Sequence, residues 1–111
     1  MIIADTVLQS LEVKLAGAVT TTELPINASW VDIDQTTFGV SQASRFGGTT
    51  NGGTAVTVVA APTAGKSRQL KSLSIVNEDT VAATVTIQIN DNGTKRIIWK
   101  SVMSVGDQVE F

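Results

Sequence analysis

Thr84–Asn90 reads TVTIQIN, Asp91-Asn92-Gly93-Thr94 follows, and Lys95–Met103 reads KRIIWKSVM. The first run alternates strictly, with Val85, Ile87 and Ile89 on one face and Thr84, Thr86 and Gln88 on the other. A period of two is the signature of a half-buried strand. Asn-Gly readily takes the positive φ angles of a type I′ turn, so Lys95–Met103 is predicted to return as the partner strand. This hairpin fixes the reading of the chain as β.

Working outward, the same grammar recurs. Ala55–Ala61 (AVTVVAA) is an apolar strand stopped at Pro62. Leu70–Val76 (LKSLSIV) is another, with Leu73 and Ile75 on one face and a polar turn at Asn77-Glu78-Asp79. Leu11, Val13 and Leu15 alternate with Ser10, Glu12 and Lys14 in a strand bounded by Gly17. Pro25 belongs to a connection, because it cannot sit in a central strand. A strand is expected over Asn27–Ile33, although Trp30, Val31 and Ile33 do not share one face. Phe38–Ser44 is a candidate third strand, weakened by Gly39. After Val105-Gly106-Asp107, Gln108–Phe111 forms a short last strand. Arg45–Thr54 (RFGGTTNGGT) holds four of the nine glycines and offers little core, so it is expected to be a flexible loop or arm.

The expected fold is all-β: a single domain over 1–111, a β-sandwich or small barrel of seven to eight antiparallel strands with a Gly/Thr-rich arm or loop. Composition agrees. Val, Ile and Thr number 14, 9 and 15, about a third of 111 residues, and all three are β-branched.

Absences narrow the chemistry. The chain has no His, Cys or Tyr. Thiol nucleophiles, disulfides, Cys or His zinc sites and Ser-His-Asp catalysis are excluded. The formal net charge of −2 argues against a broad nucleic-acid surface. No apolar run approaches the roughly 20 residues of a helical membrane span. Met1-Ile2-Ile3-Ala4-Asp5 lacks the basic start of a secretory signal. No catalytic residue, metal ligand or cofactor is expected, and the protein is not read as an enzyme.

The remaining candidates are modest. Asp32 and Asp34 share a strand face and could bridge a divalent ion, but a solvated strand end is the simpler reading. Ala64-Gly65-Lys66-Ser67 matches the end of a phosphate loop, without the upstream glycine or a following helix. Lys95, Arg96 and Lys100, with Arg68 and Lys71, make the second half locally basic, which suits a solvated face or an acidic partner. Trp30 and Trp99 are read as core residues or, alternatively, as a sugar platform. Phe46 lies in the Gly-rich arm, where no core is expected, and is a candidate interface anchor. Arg45, Phe46 and Trp99 are the candidate partner-binding residues.

Several stretches together resemble small β-rich virion proteins of tailed bacteriophages. They are Leu73–Asn77, Asp79–Ile89, Asp91–Thr94 and Val105–Val109, with Ala28–Asp32 and the Gly/Thr segment before Ala55–Pro62 upstream. The resemblance covers most of the chain from Ala28 onward. It implies a structural role, most specifically a capsid cement or decoration protein. Such a protein would be made in the host cytoplasm, bind the major capsid protein on the capsid surface, commonly as a homotrimer, and stabilise the head. Met1–Leu8 or Arg45–Thr54 would reach to neighbouring subunits. Chains of this kind often continue into an Asp-Gly turn and an aromatic, whereas this one stops at Phe111, so no tail-fibre or receptor-binding extension is expected. The alternatives are a neck, tail or head-fibre base component and, in another class, a carbohydrate-binding module.

Overall fold

A computed structural model describes residues 2–111. Met1, the start of the expected Met1–Leu8 arm, lies outside the described residues. Among the described residues nine strands run in chain order: β1 (Ile2–Ala4), β2 (Gln9–Leu15), β3 (Pro25–Asp34), β4 (Ser44–Thr49), β5 (Val56–Val59), β6 (Lys66–Val76), β7 (Ala83–Asp91), β8 (Thr94–Met103) and β9 (Gln108–Glu110). Every pairing between them is antiparallel. One sheet has the order β1-β6-β3-β4, with β9 also on β6. The other has the order β5-β2-β7-β8. The two pack face to face as a small β-sandwich.

The alternating residues make the core. Leu11, Val13 and Leu15 pair with Ile89, Ile87 and Val85, so their side chains share one face of β2 and β7. Across from them, Ile26 and Ala28 pair with Ile75 and Leu73 of the other sheet. All of these are buried except Ile89, which is half-buried against the cluster. Each fully buried aliphatic contributes roughly 1.5–3 kcal/mol relative to exposure.

The β7–β8 turn forms as its sequence predicts. Asn92 and Gly93 have φ of 51° and 92°, and strand pairing continues to Asp91↔Thr94. Irregularities in the alternation have a physical cause in bulges. Pairing jumps from Ser29↔Ser72 to Trp30↔Leu70, which leaves Lys71 as the extra residue. β3 itself alternates without a break, so Trp30 continues the row of Ala28 and Val31 and Ile33 fall on the opposite face, while the bulge brings Leu70 and Leu73 of β6 onto one face. A jump from Leu11↔Val59 to Glu12↔Thr57 likewise lets both Val58 and Val59 be buried.

Three expectations change. The strand expected over Phe38–Ser44 forms instead as β4, Ser44–Thr49. The Asp34 carboxylate accepts the backbone N–H groups of Thr36 (2.8 Å) and Thr37 (2.9 Å), closing a turn instead. Phe38 then sits exposed at φ 59°, and Gly39–Ser41 return against the end of β3 as a single bridge, Val40 to Ile33, flanked by bonds between Gly39 and Asp34 and between Ser41 and Asp32. Second, the Gly/Thr-rich stretch is paired and anchored. Pro25–Trp30 pair with Ser44–Thr49, with Pro25 tolerated because it opens its strand. Thr50 is buried, exchanges backbone and side-chain bonds with Leu24, and lies by Glu23, whose carboxylate also accepts the Gly52 N–H. Third, the outer face of the second sheet is not wholly solvated: Thr86 and Gln88 are buried there.

Candidate functional site

The three candidate partner-binding residues fall on opposite margins of the sandwich. Arg45 and Phe46 lie on β4, an edge strand of the first sheet, near β5. Trp99 lies on β8, an edge strand of the second sheet. The fold does not bring the three together.

Arg45 is exposed on the outer face, and its Nη2 donates to Asn27 Oδ1 at 3.3 Å. Phe46 is not an anchor on a free arm. It is half-buried and packs against the core. Its ring lies over Gly48, where an added Cβ would come within 2.8 Å of the ring Cζ. The bare backbone of Gly48 thus makes room for the aromatic that closes this margin. Trp99 closes the other margin: its ring meets Phe111 edge-on, centroids 5.9 Å apart and planes at 79°.

Trp30 belongs to the first sheet and is covered by Arg68, whose guanidinium carbon lies 5.5 Å from the ring centroid. The two tryptophans therefore do not share a platform. Arg68 also donates to Asp32 Oδ1 at 2.8 Å and to the Ala60 carbonyl.

The acidic side chains are engaged in structure. Lys66 binds Asp34 at 2.9 Å, so the Asp32–Asp34 pair meets two cations of β6. The Thr37 N–H, Lys66 and the Thr36 N–H hold the Asp34 carboxyl well below the usual carboxylate range. Asp79 takes N–H bonds from Thr20 (2.9 Å), Thr21, Thr22 and Thr80, with a further bond from the Thr21 hydroxyl. The Thr20 N–H is the largest influence, and together these bonds outweigh burial and hold this carboxyl low as well. A pocket of about 210 Å³ beside it is lined by Leu15–Val19 and Val81–Thr84. That is below the roughly 300 Å³ of common small-molecule sites. Among the described residues, no three His, Cys, Asp or Glu side chains gather as metal ligands.

Two features escaped the reading of the sequence. The first is a polar cluster on the outer face of the second sheet. Glu12 is only 6% exposed and accepts from Lys95 (2.8 Å), Gln88 (3.0 Å) and Asn90 (3.3 Å). Burial raises its pKa, but these donors outweigh burial and leave it lowered. The second is the apolar exposure of β8, where Ile97, Ile98 and Val102 are 58, 47 and 63% exposed. Pairing passes from Ile87↔Trp99 to Gln88↔Ile97, so Ile98 is a bulge residue. The Ile97-Ile98 doublet, which breaks the period of two, was the available signal.

No protein-family model, curated protein or solved structure matches the chain, so the fold and its surfaces carry the functional argument.

Proposed function

We propose that the chain is a non-catalytic structural protein of a tailed-phage virion, most specifically a capsid cement protein that binds the major capsid protein and self-associates as a homotrimer. The observation that carries this reading is the division of the side chains. Asp32, Asp34, Asp79, Glu12 and Glu23 hold turns and strands together, while aliphatic side chains stand exposed along β8 and at Val105 beyond it. Exposed aliphatics in a row suit contact with another protein. The resemblance of Leu73–Asn77 and Asp79–Ile89 to phage virion proteins supplies the class of partner.

A cement protein acts by mass action. Surface buried between the subunits of the shell favours the assembled state over free subunits. Stoichiometry in purified particles tests the assignment. The proposal expects copies in number comparable to the major capsid protein. A small fixed handful per particle would move the chain to the neck, tail or a head-fibre base, and its absence from particles would end the reading.

A further inference from the structure

Strand β8 is ten residues long and pairs only with β7 among the described residues. Its other edge is available to a further strand. Register places Lys95, Ile97, Lys100 and Val102 on the outer face of the sheet, beside Asn90, Gln88, Thr86 and Thr84. Lys14 joins the same row as Thr86. The acid of this face is Glu12, already bound to Lys95. Arg96 and Lys100 form no ion pair among the described residues. A chain of net charge −2 thus carries one positively charged edge.

Edge strands are commonly protected by Lys residues and bulges, and β8 has both. Protection alone does not call for exposed aliphatics at Ile97, Ile98 and Val102. The combination selects its partner. Pairing this edge with its own copy would bring two positively charged edges together, Arg96 beside the Ile89 row and Lys100 beside the Thr86 row of each, and like charges across paired strands are destabilising. An acidic strand meets no such penalty.

We propose that the β8 edge binds an extended acidic segment of another protein by strand addition, making a fifth strand of the β5-β2-β7-β8 sheet. Backbone hydrogen bonds supply the pairing. An acid of the incoming strand lies beside Lys100, and aliphatics lie beside Ile97 and Val102. The proposal rests on the reading of this edge as a contact surface, and takes no account of where on a particle the partner resides.

The test uses the full chain and a capped synthetic peptide with threonine at every second position and Val, Glu and Val on its other face. Its expected signature is a set of amide chemical-shift changes confined to Arg96–Val102 and their β7 neighbours. Binding weakens as salt is raised, since these charges are exposed. The double variant Arg96→Glu and Lys100→Glu binds at least about tenfold more weakly, and gains binding to the peptide with Lys in place of Glu. N-methylation of the peptide amides facing β8 abolishes binding, while methylation of the alternate amides does not.

Shifts mapping elsewhere, indifference to charge reversal, or dimerisation of the chain through β8 in preference to the peptide would overturn the proposal. Failure of the capsid assignment is read separately. Peptide binding by a chain absent from particles defeats that assignment alone. Undiminished incorporation of the charge-reversed chain into particles defeats the strand-addition proposal alone.

Discussion

Asp79 shows how much one side chain organises. It is buried and gathers four backbone N–H groups from Thr20–Thr22 and Thr80, and so ties the β2–β3 connection to the β6–β7 turn. Its folded-state pKa lies below the ordinary 3.8. The unfolded chain therefore takes up protons first on acidification. Asp79 contributes stability that is complete well above pH 3.8 and is lost as pH falls towards the folded value. Asp34 and Glu12, both also lowered, act in the same direction. Denaturant unfolding across pH is expected to show stability falling as pH drops below about 4, and Asp79→Asn should lower stability at neutral pH while flattening this acid limb. An unchanged acid limb in the variant would show that Asp79 is not its source. Glycine gives a second residue-level test. Gly93 has φ 92° and nothing within 4 Å of an added Cβ, so Gly93→Ala isolates backbone strain, expected at roughly 1–2 kcal/mol in equilibrium unfolding. At Gly48 the strain would instead be steric, against the Phe46 ring.

Elements were readable where the alternation is strict. Val85, Ile87 and the Asn92-Gly93 turn specify β7 and β8 locally, and Leu11, Val13 and Leu15 do the same for β2. β4 was hidden because Gly47 and Gly48, at its middle, carry almost no strand signal of their own. The strand exists because Pro25–Trp30 offers it a partner edge and Phe46 folds over Gly48. Phe38–Ser44 has a strand-like pattern, but the Asp34 carboxylate closes a turn at its start. Alternation places Glu12 on the face opposite Leu11 and Val13 and says nothing of its burial. Its burial depends on Gln88, Asn90 and Lys95, which lie more than seventy positions away. At this scale, Leu73→Ala on β6 should cost about 2–5 kcal/mol, because Leu73 is fully buried in the core cluster. A loss below about 1 kcal/mol in chemical denaturation would contradict the packing of β6 against the second sheet.

At the scale of the whole molecule, the two sheets are closed at their margins by aromatics, Phe46 on one side and the Trp99–Phe111 pair on the other. Two of the three candidate contact residues, Phe46 and Trp99, are thus half-buried at these margins, and the row at Ile97, Lys100 and Val102 stands more exposed. The pattern of apolar residues showed that the chain packs, but exposure along β8 depends on which strand ends at the sheet edge, and pairing order is not written in any one segment. Phe111→Ala is accordingly expected to lower the melting temperature by removing the edge-on partner of Trp99, with a change in Trp99 fluorescence. The central claim, that this packing unit reinforces a viral shell, is tested most directly by heating purified heads with and without the protein bound. The account predicts that heads carrying it survive to a higher temperature and that adding the protein back restores the difference. Equal survival of the two populations would contradict it.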